Sequence, residues 1–193
     1  MSKVTENTTG KIIALPVGKF FNMEELSLDK IPNEPFEVTE KMDGSLMIVF
    51  YYNDEWMIAS RGSFDSEYAL WGKQILHRSN TKYGLIPGWS YCMELIVPQN
   101  RIVVDYGNVE KLVVLCVFNL ETGEEGTIDE MTSEGWEIVK KYDGIQDFKS
   151  LKKMISSNQE GFVVRFESGF RMKIKGDEYV RLHSLLTQVT SYT

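Results

Sequence analysis

The sequence predicts an α+β domain, and three observations carry that reading. Residues 46–60 and 160–175 each show two apolar runs around a polar turn, the pattern of a β-hairpin. Leu112–Phe118 is an unbroken apolar run, which suits a strand covered on both faces. Residues 66–77 and 177–189 carry apolar side chains at helical spacing. At 193 residues the chain is long enough for one domain with a substantial core, and 42% hydrophobic with 25% charged residues excludes disorder for most of it.

The first ten residues are polar, and Lys11–Leu15 follows as a short strand ending at Pro16. Lys19-Phe20-Phe21-Asn22 reads as an aromatic-rich turn with at least one phenylalanine expected in the core. A proline-punctuated loop, Ile31–Pro35, leads into the strand Phe36–Thr39. Met47–Tyr52 and Trp56–Ala59 form the first hairpin, which turns at Asn53-Asp54-Glu55 and returns Ser60-Arg61-Gly62-Ser63 near its own start. Ser66–His77 is an amphipathic helix with Leu70, Trp71 and Ile75 on one face, and Asn80–Gly88 is loop. Strands are expected at Tyr91–Val97, Arg101–Val104 and Leu112–Phe118. After a turn at Thr122–Gly126, the segments Glu130–Tyr142 and Phe148–Ser156 read as packing helices. In the second hairpin Lys173 and Lys175 share one strand face while Met172 and Ile174 share the other. The last helix starts at Gly176-Asp177, with Asp177 as cap and Tyr179, Leu182, Leu185, Leu186 and Val189 at helical spacing.

Composition excludes several classes. No stretch reaches the roughly 20 apolar residues of a membrane helix, so the expectation is a soluble, cytoplasmic protein. Cys92 and Cys116 sit in apolar runs, where free cysteine acts as a small buried hydrophobe; neither a disulfide framework nor a thiolate zinc site is supported. A net charge of −7 argues against a general electrostatic grip on nucleic acid. Any polyanion site must be assembled from the lysines and arginines at strand ends.

The chain is organised around Lys41-Met42-Asp43-Gly44-Ser45-Leu46, a lysine held between two strands with a tight Asp-Gly turn behind it. A lysine attacks phosphorus only as the free amine, so such a residue needs its ammonium form destabilised by desolvation or neighbouring positive charge. Glu94 interrupts an apolar strand and must either face solvent or serve a site, because burial without a partner costs several kcal/mol. His77 and His183 lie on helices without partners in the pattern and read as surface or packing residues.

Taken in order, Lys41-Met42-Asp43-Gly44, Ser60-Arg61-Gly62, Cys92-Met93-Glu94-Leu95, Phe118 after its apolar strand, Glu160-Gly161-Phe162-Val163-Val164 and Met172-Lys173-Ile174-Lys175-Gly176 resemble the motifs of the covalent nucleotidyltransferases. That superfamily holds ATP-dependent DNA ligases, RNA ligases and capping enzymes. Ala14–Asn22 resembles the segment upstream of the nucleophile in RNA ligases of the phage tRNA-repair type.

The resemblance implies two antiparallel β-sheets with flanking helices around a nucleotide cleft, the ligase adenylation-domain, ATP-grasp-like architecture, here as a single domain over residues 1–193. It implies an ATP-dependent RNA ligase. Lys41 forms a lysyl-AMP phosphoramidate, AMP passes to an RNA 5′-phosphate, and a 3′-hydroxyl displaces it. Lys173 and Lys175 stabilise phosphate charge and act with Lys41 and Asp43 as catalytic residues. Glu160 and Glu94, with Asp43 through a metal-bound water, serve Mg²⁺ or Mn²⁺ and the ribose. Phe118 and Val163 sandwich adenine, Arg61 and Lys19 touch phosphates, and Glu40 beside the nucleophile belongs to the nucleotide-binding set. Expected partners are ATP and RNA ends, with no membrane, a monomeric state, and action in a host cytoplasm if phage-encoded. The usual upstream Arg-Gly strand and C-terminal specificity domain are not seen, so the expectation is a minimal domain, a shortened form or one part of a split enzyme completed by another chain. Rival readings are a minimal DNA ligase, a capping guanylyltransferase using GTP, and a non-catalytic nucleic-acid-binding remnant.

Overall fold

The computed structural model describes residues 3–79 and 84–190, so the first four residues of the loop expected at 80–88 lie outside the described residues. In chain order the strands are β1 (Val4–Thr5), β2 (Ile12–Ala14), β3 (Phe21–Asn22), β4 (Phe36–Lys41), β5 (Ser45–Tyr52), β6 (Glu55–Ala59), β7 (Trp89–Ile96), β8 (Lys111–Asn119), β9 (Glu125–Gly126), β10 (Gly161–Phe166) and β11 (Arg171–Lys175). The α-helices are α1 (Glu67–Arg78) and α2 (Asp177–Thr190). The fold is thus mixed α+β, and it divides into two compact units: residues 1–19, 44–100 and 108–138, and residues 20–43, 101–107 and 139–193.

The first unit is built on an antiparallel sheet in the order β6-β5-β7-β8-β9. Asn53 and Asp54 join β5 to β6 with φ of 50° and 60°, the two-residue mirror-image turn whose twist matches a hairpin. Met47 to Phe50 and Ser90 to Ile96 are buried without a break because both sheet faces are covered. On one side Ala14 of β2 packs with Ile48, Phe50 and Ala59. On the other lies α1, capped by Ser66, whose Oγ accepts the Ala69 N–H at 3.2 Å. The helix buries Ala69, Gly72 and Leu76, whereas Leu70, expected on the core face, is 50% exposed. The helix meets the sheet at Gly72, where a Cβ would lie 2.7 Å from Ile58 Cδ1, and Ala69 and Leu76 share that face. Cys92 and Cys116 stand opposite each other in the β7–β8 register as buried free thiols.

The second unit carries a sheet in the order β3-β11-β10-β4. It is mixed rather than purely antiparallel, because β3 joins β11 in parallel. Phe21–Asn22 is therefore a short strand instead of a turn, and Phe21 is 44% exposed. Alternation works as the sequence suggests: Val38, Phe162, Val164, Phe166, Met172 and Ile174 make one apolar face, with Leu151 packed against it.

Three further expectations are corrected. Arg101–Val104 is loop, its backbone donors drawn away to a carboxylate described below. Residues 130–142 hold one 3₁₀ turn, Asp129–Thr132, stopped at Gly135, whose φ is 85°. Beyond it the backbone runs extended, with Val114 N–H donating to the Glu137 carbonyl in the first unit and Tyr142 N–H to the Val38 carbonyl in the second. Phe148–Met154 is helical where expected, but as 3₁₀. In α2, Tyr179 is buried, while Leu185 and Leu186 of the expected stripe are 48% and 49% exposed. Asp177 lies inside the first turn and pairs with Lys152 at 2.9 Å. Among the described residues no helix is long and apolar enough to cross a membrane.

Candidate active site

The polar face of the second unit's sheet gathers the lysines that the sequence singles out. Gly161 of β10 lies between Lys41 of β4 and Lys175 of β11, and Val163 lies between Thr39 and Lys173. Lys41 Nζ stands 2.9 Å from Glu160 Oε1, and Lys175 Nζ stands 3.4 Å from the same oxygen, while the Glu160 side chain is only 4% exposed. Strict alternation would send Glu160 to the apolar side with Phe162. Gly161 breaks that alternation: its φ is 152°, and a Cβ there would lie 1.9 Å from the Ile174 carbonyl oxygen. Only glycine fits, and the residue before it turns its carboxylate toward the lysines. The Gly176 N–H donates to the Glu160 carbonyl at 2.9 Å, fixing the strand's entry.

Electrostatics follow from this packing. Burial, then the positive charges of Lys175 and Lys41, hold the Lys173 ammonium below the ordinary lysine range, with Glu160 acting in the opposite sense. Lys173 Nζ lies 5.9 Å from the centre of the Phe20 ring and Lys175 Nζ lies 5.3 Å from that of Tyr179, both cation–π distances.

Asp43, two residues after Lys41, is 4% exposed and fully engaged. Its Oδ2 accepts the Val103 and Val104 N–H groups at 2.9 and 2.8 Å, and its Oδ1 accepts the Tyr179 hydroxyl at 2.7 Å. Its own N–H donates to the Tyr106 hydroxyl at 2.8 Å. Burial, the Glu160 charge and the hydrogen bond to Asp43 all push the Tyr179 hydroxyl upward, which favours its proton-donating form. The sequence reading missed Tyr179 and Tyr106. Tyr179 reads only as one more apolar helix position, and no local pattern joins residues 136 apart in the chain.

The other candidates lie in the first unit. Glu94 of β7 is 8% exposed rather than facing solvent, and its Oε1 accepts the Gly44 N–H at 3.0 Å. Gly44 has no room for a side chain, since a Cβ would lie 2.3 Å from the Leu95 carbonyl oxygen. Phe118 is half-buried near the end of β8, opposite Ser90 and Glu125. Arg61 is exposed in a bend closed by Ser60 N–H to the Ser63 carbonyl at 3.0 Å. Lys19 follows a segment tied to β7 through Leu15 N–H to Ser90 Oγ at 2.9 Å. Back in the second unit, Glu40 alternates to the face opposite Lys41, and its N–H donates to the Lys140 carbonyl at 2.9 Å. Among the described residues no cluster of three Asp, Glu, His or Cys side chains gathers to hold a metal alone.

Comparison with known proteins decides the family. Residues 2–179 match the family model described as RNA ligase. The chain belongs to the RNA ligase family. Within that family it is 26% identical over 208 residues to a protein named as a bifunctional polynucleotide kinase/RNA ligase from Autographa californica nuclear polyhedrosis virus, covering 93% of this chain and 30% of that protein. It is 24% identical over 257 residues to the RNA ligase of Rhodothermus phage RM378, covering 93% of this chain and 58% of the relative. Its fold resembles a Naegleria gruberi RNA ligase solved with PPi, with a TM-score of 0.72 at 17% identity over 95% of this chain and 64% of that one. A variant of the same Naegleria protein, solved with ATP and Mn, aligns at a TM-score of 0.70. The chain therefore spans less than two thirds of the length of these relatives.

Proposed function

We propose that this chain is the adenylyl-transferring part of an ATP-dependent RNA ligase and that Lys41 is its nucleophile. One observation carries the reading: a lysine at a strand end shares a nearly buried carboxylate with a second lysine, beside a third whose ammonium is disfavoured. The Lys41 Nζ lone pair forms a bond to the α-phosphorus of ATP while the bond to the bridging oxygen breaks, and pyrophosphate leaves with that electron pair. The amine proton is released as the phosphoramidate forms. AMP then passes to an RNA 5′-phosphate, and a 3′-hydroxyl displaces it. Each step develops charge on phosphate oxygens, which Lys173 and Lys175 are placed to offset from one rigid strand.

Glu160 is the carboxylate of this sheet that would hold Mg²⁺, and the assignment of Glu94 to the metal rests on motif order in the sequence. One or two carboxylates suit a cation that binds largely through substrate phosphates and water. When bound, Mg²⁺ supplies charge neutralisation at phosphate. Asp43, with three hydrogen bonds already accepted, holds the turn behind the nucleophile. The roles of Val163 and Phe118 on adenine, and of Arg61, Lys19 and Glu40 around the nucleotide, rest on motif order in the sequence.

The test is intact mass after incubation with ATP and Mg²⁺. The expected result is a gain of one AMP in the wild type and none in Lys41→Ala; an adduct that survives the substitution refutes the assignment. Labelling with α-labelled GTP alone would favour a capping activity, and sealing of DNA nicks but not RNA nicks would favour a DNA ligase.

A further inference from the structure

Residues 101–107 form a short excursion between β7 and β8 that belongs to the second unit, separated in sequence from everything it touches there. Its hydrogen bonds have a common direction. Val103 and Val104 N–H groups hold the Asp43 carboxylate, and the Tyr106 hydroxyl accepts the Asp43 N–H. Between them, Asp105 forms a reciprocal pair with Asn158: its N–H donates to Asn158 Oδ1 at 2.8 Å, and Asn158 Nδ2 donates to its carbonyl at 2.9 Å. Asn158 stands two residues before Glu160. The strap itself is stiffened by the Gly107 N–H to Asp105 Oδ1 bond and by Arg101 paired with Asp105.

The strap thus grips the turn that follows Lys41 through Val103, Val104 and Tyr106, and the segment that leads into Glu160 through Asp105. We propose that the 101–107 strap sets the position of Lys41 relative to Glu160, with Tyr106 and Asn158 as positioning residues for attack by Lys41. This rests on the reading of Lys41 as the nucleophile. The geometry explains why loop backbone is used. A strand at 101–104 would commit the Val103 and Val104 donors to a neighbouring strand, whereas a loop leaves them to converge on one buried carboxylate. It also explains the reciprocal amide pair: Asn158 is exposed, and its two bonds to one backbone residue hold register without burying anything. Small displacements of a nucleophile carry large rate penalties, so a positioning device of this kind acts on rate more than on substrate affinity.

The experiment is single-turnover formation of the AMP adduct by the full chain with ATP and Mg²⁺, for wild type, Tyr106→Phe, Asn158→Ala and the double variant. Each single variant is expected to slow adduct formation at saturating ATP by about tenfold with the ATP concentration for half-maximal rate unchanged. Because both act through one strap, the double variant is expected to be less than additive. Asn158→Ala, at an exposed position, tests the proposal even if Tyr106→Phe folds poorly. Absence of an adduct in wild type overturns the Lys41 reading and the strap with it. A wild-type adduct with Asn158→Ala within twofold of normal, or a loss that appears only as weaker ATP binding, overturns the strap alone.

Discussion

Replacing Glu160 by Gln keeps the side chain's shape and removes its charge, which makes it the sharpest probe of the lysine cluster. The wild-type carboxylate, 4% exposed, faces Lys41 at 2.9 Å and Lys175 at 3.4 Å. At an effective dielectric of roughly 20, each such pair attracts by about 5 kcal/mol before desolvation is counted. Removing one member of a buried pair typically costs about 3–5 kcal/mol. Lys41 and Lys175 retain 21% and 27% exposure, so solvent screens part of the effect. The expected loss is therefore about 2–3 kcal/mol, which for a chain of this size lowers the melting temperature by roughly 5–10 °C. The assay is thermal unfolding by circular dichroism, with Glu37→Gln as control. Glu37 is 58% exposed and lies 3.9 Å from Arg165, so its loss should shift the melting temperature by no more than about 1 °C. Equal melting temperatures for the two variants, or a Glu160→Gln protein that melts above wild type, would refute the claim that Glu160 balances the lysines.

Other outcomes follow from the same geometry. Gly161→Ala should destabilise by more than about 2 kcal/mol in urea unfolding, because φ of 152° and a Cβ 1.9 Å from the Ile174 oxygen leave no unstrained placement. Tyr179→Phe removes one of the three donors to the buried Asp43 carboxylate and should lower stability by about 1–3 kcal/mol, measured the same way. Lys173 gives a pH signature. Its folded pKa lies below the unfolded value, so the unfolded state binds more protons between the two, and stability should rise with pH as it passes through the lowered pKa toward the unfolded one. In Lys173→Met that alkaline increment should disappear; a wild-type protein and variant with parallel stability profiles would contradict the assignment.

The second hairpin was legible because alternation is a local signal: Met172 and Ile174 needed a core, so Lys173 and Lys175 had to share the other face. The turn at Asn53-Asp54 was legible for the same reason. Residues 130–142 misled because Trp136 and Val139 are three apart, a spacing that a helix and a bent extended segment both satisfy, and left-handed Gly135 decides between them. Ile102-Val103-Val104 has strand composition, yet a buried carboxylate sixty residues upstream takes its backbone donors, and nothing local announces that. The face of α1 misled because Gly72 has no side chain to mark it: a Cβ there would lie 2.7 Å from Ile58 Cδ1, and the face it shares with Ala69 and Leu76 is the buried one. Of the candidate site, Lys41 and the motif residues are legible only as residue types in order, whereas the bonds that hold Asp43 depend on contacts that only the fold creates.

The second unit's discontinuity also bears on synthesis. Lys41 emerges from the ribosome early, whereas Glu160, Lys173, Lys175 and Tyr179 are all encoded more than a hundred codons later. At about 5–20 residues per second, that interval is on the order of ten seconds. Throughout it the nascent chain bears a lysine that has neither its counter-charge nor its companion cations. The lysine cluster is thereby completed only once residues 160–179 have been made, and a fragment that stops before Glu160 lacks it.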